Sequence, residues 1–221
     1  SQVTKVNGQP STQAVPYTAT LTGGTNSFEI TNTVTCKQKL NLVKVVAAPG
    51  TEKTSAWTLE ATAPSGALAG PKGSYSASTP VTEFVTADAA YSLKESGGPA
   101  TYVPASNGWQ CVLTGTTTPV PLTDSKVKVG LGKDVTCTIT DVTAKLTLLK
   151  KTAVGSGLTP ETFTLTGTPA SGPTLAALQT AGATTASAGN TFEVRPAHTY
   201  TLAETTSDGT IAYRNLALQK L

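Results

Sequence analysis

A chain of 221 residues can hold one large or two ordinary domains, and its 16 basic and 13 acidic side chains leave a net charge of only +3. Charged residues make up 13%, about half the usual share of a soluble domain. This small, dispersed balance gives no nucleic-acid footprint, and no apolar run approaches the roughly 18 residues of a membrane span. A single histidine (His198) and three cysteines rule out most zinc arrangements, so neither a metal nor another cofactor is expected.

Abundant Thr, Val, Gly and Pro favour strands over helices. In chain order, Asn7-Gly8 reads as a tight turn. Alternating strands follow at Leu40 to Val46 and at Ala56 to Ala61. Asn107-Gly108 reads as a second turn, and Lys126 to Val129 as another short strand. A cluster of Ala and Leu from Leu175 to Thr180 predicts the one helical turn. Many short strands between frequent turns point to an all-β sandwich or barrel. The sequence shows no initiator Met, signal peptide or sorting tail, and is read as a fragment of a longer protein.

An internal repeat organises the chain. Lys39-Leu40-Asn41-Leu42-Val43-Lys44 matches Lys145-Leu146-Thr147-Leu148-Leu149-Lys150. Ala56-Trp57-Thr58-Leu59 matches Thr162-Phe163-Thr164-Leu165, and Ala90-Tyr91-Ser92-Leu93-Lys94-Glu95 matches Thr199-Tyr200-Thr201-Leu202-Ala203-Glu204. Thr138-Ile139-Thr140-Asp141 matches Glu29-Ile30-Thr31-Asn32. One complete unit is expected over residues 40–141. Residues 146–221 read as the opening part of a second unit, and residues 1–32 as the closing part of a repeat complementary to it. Residues 33–39 and 142–145 are expected to be linkers.

Strand alternation gives the functional signal, because every second side chain shares a face. Lys44 lies in line with Leu40 and Leu42, Glu95 with Tyr91 and Leu93, and Asp141 with Cys137 and Ile139. The second set repeats this with Lys150, Glu204 and Asn32. Each unit thus aims a Lys, a Glu and an Asp or Asn at its core. An unpaired buried charge costs several kcal/mol, so the three groups should meet. Burial favours a neutral lysine amine, which is a nucleophile, and a protonated glutamic acid, which can polarise a carbonyl and shuttle protons. Attack on Asp141 would release water, and attack on Asn32 would release ammonia; either leaves an isopeptide bond. On alternation alone, an ordinary buried salt bridge or strand-end side chains reaching solvent explain the same residues.

Lysine on the first strand, Tyr-x-Leu-x-Glu late, and Ile-Thr-Asp or Ile-Thr-Asn at the end resemble the CnaB-type, SpaA-like domains of Gram-positive surface adhesins and pilins. Trp109-Gln110-Cys111 with Val135-Thr136-Cys137-Thr138-Ile139-Thr140-Asp141 is similar to the actinobacterial variety. The resemblance implies Ig-like or prealbumin-like β-sandwiches in tandem, with first and last strands adjacent. It also implies a self-formed bond between Lys44 and Asp141 assisted by Glu95, and between Lys150 and Asn32 assisted by Glu204.

Within the complete unit, Cys111 and Cys137 are placed to staple its last strands, or to remain as two reduced core thiols. Phe28 replaces Cys137 in the other unit, which has no Cys near Tyr213 to Leu221. Cys36 has no obvious partner. His198 reads as a surface residue, and Lys126, Lys128 and Lys133 as a solvated face. The resemblance therefore implies a structural stalk of a cell-wall-anchored surface protein rather than an enzyme. Its expected partners are neighbouring repeats, or another copy that completes the split repeat; no nucleic acid or membrane insertion is expected. The alternative is a binding module that recognises a host protein or glycan through loops 64–82 and 169–190.

Overall fold

The alternating runs become strands in the computed structural model, and no α-helix occurs among its described residues, which are 2–31, 37–75 and 79–206. The chain divides into two units between Lys37 and Gln38. In the first, β1 (Gln2–Val6), β2 (Gln9–Ala14) and β3 (Phe28–Thr31) form an antiparallel sheet ordered β2-β1-β3. Asn7 and Gly8 are both left-handed, at φ 48° and 77°, as a type I′ hairpin turn requires. Val3 is buried, whereas Phe28 and Ile30 are 40% and 56% exposed. These three border a shallow apolar groove with Val15, Pro16 and Tyr17.

The second unit opens with the complete repeat. Its strands are β4 (Gln38–Val46), β5 (Trp57–Thr62), β6 (Lys72–Gly73), β7 (Val81–Val85), β8 (Ala90–Gly97), β9 (Val103–Pro104), β10 (Gln110–Leu113), β11 (Lys126–Lys128) and β12 (Asp134–Val142). One sheet runs β10-β12-β4-β7, with β9 also paired to β12, and the other runs β11-β8-β5-β6. The first and last strands of the repeat lie side by side and parallel, with Lys39 opposite Asp134 and Lys44 opposite Ile139. Leu40, Leu42, Leu59, Tyr91, Cys137 and Ile139 fill the space between the sheets. The Tyr91 hydroxyl is satisfied there: it accepts from the Thr86 amide and donates to the Leu68 carbonyl at 2.8 Å, tying down the loop after β5.

The second repeat contains β13 (Ala144–Thr147), β14 (Phe163–Pro169), β15 (Leu178–Ala181), β16 (Thr191–Val194) and β17 (Tyr200–Thr206). Its two sheets, β13-β16 and β15-β14-β17, reproduce the pairings β4-β7 and β6-β5-β8. Among the described residues, no strand lies on β13 in the place that β12 takes on β4. Leu202, expected on a core face, is exposed, whereas its counterpart Leu93 is buried in the complete sandwich.

Three local expectations are corrected. Residues 178–181 are strand rather than helix, because Leu178 is buried opposite Gly167 and pairing with β14 outweighs a weak local preference. Asn107-Gly108 does form the expected tight turn, in the loop before β10, with the Gly108 amide donating to the Ala105 carbonyl. Residues 142–145 are not a free linker: β12 and β13 claim all but Thr143, whose hydroxyl donates to the Val194 carbonyl. Gln38 and Lys39, expected in the other linker, already belong to β4.

Candidate functional site

Lys44 lies near the end of β4, and the alternation that buries Leu40 and Leu42 buries it as well; its side chain has no exposed surface. Asp141 reaches the same face from β12, two steps beyond Ile139, the residue opposite Lys44. Glu95 comes from β8 in the other sheet. The Lys44 Nζ stands 2.5 Å from Glu95 Oε1 and 2.8 Å from Asp141 Oδ1. All three predicted side chains of the complete repeat are therefore brought together.

These short ion-pair contacts are not at well-aligned hydrogen-bonding angles. Lys44 Nζ, Glu95 Oε1 and Asp141 Oδ1 are all buried, and none has a partner at hydrogen-bonding geometry. Such groups ordinarily find partners, because leaving them unsatisfied in a low-dielectric interior is costly. Burial pushes the Glu95 carboxyl above its ordinary range; the Lys44 ammonium opposes that rise and the Asp141 charge adds to it. Glu95 is thus the group inclined to hold a proton.

An aromatic floor completes the site, and strand alternation did not mark it as functional. Trp57 opens β5, and Lys44 Nζ sits 4.5 Å from its ring centre. Gly98 permits this: its φ is +73°, and a Cβ there would meet the indole at 2.2 Å. The second repeat preserves the arrangement, with Lys150 Nζ 4.1 Å from the Phe163 ring and 2.6 Å from Glu204 Oε2. Trp57 and Phe163 occupy matching positions in the repeated segments, which was the available signal. The second site is more open: the Glu204 side chain is 33% exposed, against 11% for Glu95. Its expected third member, Asn32, lies outside the described residues, as does Cys36.

Cys111 and Cys137 form a disulfide between directly opposed residues of β10 and β12, with Cα atoms 4.0 Å apart. β12 is thereby cross-linked on one flank and lies along β4 on the other. His198 is partly buried, with Nε2 3.2 Å from the Ala170 carbonyl and its ring edge-on to Tyr200. Lys126 and Lys128 are exposed on β11.

A family described as a prealbumin-like fold domain, of the SpaA type, matches this chain twice, over residues 36–139 and 141–216. No curated protein and no solved structure matches it. The two matched stretches correspond to the two repeats and take in Lys44, Glu95, Lys150 and Glu204; Asp141 is the first residue of the second stretch.

Proposed function

We propose that this chain, which belongs to the SpaA-type family of prealbumin-like fold domains, is a stalk segment of a cell-wall-anchored adhesin or pilus-like surface protein, its complete repeat sealed by an amide between Lys44 and Asp141. The observation that carries this reading is the buried trio of Lys44, Glu95 and Asp141, in contact but without hydrogen-bond partners. Condensation relieves that state. The Lys44 ammonium gives a proton to Glu95, and the free Nζ attacks Asp141 Cγ. Glu95 returns that proton to one Asp141 oxygen and then relays a second from the attached nitrogen to the same oxygen, which leaves as water as the C–O bond breaks. An ammonium and a carboxylate become an amide and one water, with no co-reactant. Proximity and exclusion of solvent supply the rate enhancement, and Glu95 acts once rather than turning over.

The bond suits a spacer. Tension entering at the start of β4 crosses to β12 through the Lys44–Asp141 amide, so residues between them stay out of the loaded path. The disulfide fits the oxidising surroundings of an exported protein. Intact mass after full reduction tests the proposal: the expected result is a deficit of one water, with tandem spectra joining the Lys44 and Asp141 peptides. An unmodified mass overturns it.

The exposed apolar side chains of β3 favour an assembly role for residues 2–31. Phe28 and Ile30 correspond to Cys137 and Ile139, which are buried in the complete repeat. The face that leaves them open is closed by the opening half of another repeat with the chemistry of Leu146 to Lys150, the strand β3 adding to its edge as β12 does to β4. When that half belongs to a second copy, Lys150 and Asn32 join between chains with loss of ammonia. Reducing denaturing gels then show a ladder; a lone monomer band overturns the intermolecular bond.

A further inference from the structure

The two repeats of the second unit meet through a group of residues that the Lys44 site does not use. We infer that Glu193 is the keystone of a junction that fixes the angle between successive repeats, so that they move as one body rather than as beads on a string. Only Thr143 separates β12 from β13, and its hydroxyl is already held by the Val194 carbonyl. The connection is therefore short, and side chains on either side of it decide whether it bends.

Those side chains interlock in both directions. Glu193 on β16 reaches from the second repeat into the first. Its Oε2 accepts from the Tyr102 hydroxyl at 2.7 Å, and its Oε1 from the Thr51 amide at 3.0 Å and hydroxyl at 2.9 Å. Lys145, its cross-strand neighbour on β13, donates to Oε1 at 3.1 Å and steadies the carboxylate. Arg195, just past β16, donates from Nη1 to the Ala100 carbonyl at 2.8 Å. One repeat thus offers both an acceptor and a donor to two separate loops of the other. Tyr102 is itself pinned: its oxygen accepts from the Thr51 and Glu52 amides at 2.9 and 3.0 Å, and its ring meets Trp57 edge-on at 5.4 Å. Charge-assisted bonds to several rigid donors restrict orientation more than a flexible surface ion pair does.

The charged and titratable groups facing Glu193 are Lys145 from β13 and Tyr102 from the first repeat, with Arg195 two residues along its own segment. Burial alone would raise the Glu193 carboxyl, but the bonds from Tyr102, Thr51 and Lys145 outweigh it and hold the group below its ordinary range. A lowered acid keeps the junction charged at neutral pH and down through the ordinary glutamate range, and releases it only in stronger acid.

Spin-label distance measurements across the junction test this on the full chain. Labels are placed at Lys128→Cys on β11 and Gln179→Cys on β15, in a Cys36→Ser background. A single narrow distance distribution is expected at pH 7 and unchanged at pH 5. Glu193→Ala should at least double its width, and Tyr102→Phe should broaden it less, with circular dichroism unaltered. Equal widths for the parent and Glu193→Ala, or a distribution already broad in the parent, overturn the inference. Should Glu193→Ala not fold, Tyr102→Phe removes a single oxygen and decides the question by the same comparison. Mass spectrometry reads the Lys44 amide separately, so failure of that bond would not be mistaken for failure of the junction.

Discussion

Two lysines at matching positions of one repeated sequence stand in different surroundings. Lys44 has a carboxylate from each sheet, an indole beneath it and no solvent. Lys150 has the aromatic floor and the glutamate but, among the described residues, no second acidic partner. The aromatic and the glutamate both come from the opening half of a repeat, β5 and β8 in one case and β14 and β17 in the other. Asp141 comes from the closing strand. The opening half therefore assembles the lysine, the glutamate and the aromatic ring, and the closing strand supplies the aspartate.

Removing the amine should break this contrast most sharply. Lys44→Met removes the proposed cross-link and leaves Glu95 and Asp141 uncompensated, which costs roughly 3–5 kcal/mol for the carboxylates alone. Lys150→Met should cost about 1 kcal/mol or less, as expected of a partly solvated pair. Thermal denaturation of the two variants checks the difference. Cleavage of the Cys111–Cys137 bond comes next. Cys111→Ser with Cys137→Ser should cost about 3–4 kcal/mol by the chain-entropy relation for a separation of 26 residues. Denaturant unfolding should show that loss in the first repeat and none in the second.

Gly98→Ala sharpens the comparison at the aromatic floor. It combines a disfavoured left-handed conformation with a clash against Trp57, at roughly 1–3 kcal/mol. Tryptophan fluorescence should report the displaced indole while the Phe163 site is untouched. The smallest effect concerns pH. Because the folded state raises the Glu95 carboxyl, it binds more protons than the unfolded chain between the ordinary glutamate range and that raised value. Stability should therefore fall as pH rises through this window. The proposed amide would leave the sign unchanged, since it carries no charge to hold Glu95 ionised. Urea midpoints measured across that range should slope downward in the parent and flatten in Glu95→Gln.

Much of the site was legible because period-two alternation is strict where a strand is buried on one face. Lys44, Glu95 and Asp141 each follow two core residues at that period, and seeing the Lys and Glu twice removed much of the ambiguity. Adjacency of β4 and β12 was not readable from alternation, which says which way a side chain points and not which strand lies beside it; the family resemblance supplied it. Leu178 misled because four extended residues carry too short a pattern to outvote neighbouring alanines. The junction was invisible for a different reason. Tyr102 and Glu193 lie 91 positions apart, and Tyr102, with Thr51 and Arg195, sits outside the strands, where no period applies.

The parallel pairing of β4 with β12 also sets the order in which the complete repeat can form. Lys39 and Asp134, at the start of that ladder, are 95 residues apart, whereas β5 and β8 or β10 and β12 pair across shorter stretches. Closing the largest loop sacrifices the most chain entropy before any contact rewards it, so such pairings tend to form late and slowly. A chain that emerges from its N-terminus holds β4 ready, with Lys44 already on its face, until the last strand arrives. The lysine and the aspartate are therefore expected to meet late, after the shorter-range strand pairs, and the proposed amide would mark a repeat whose longest-range pairing had formed.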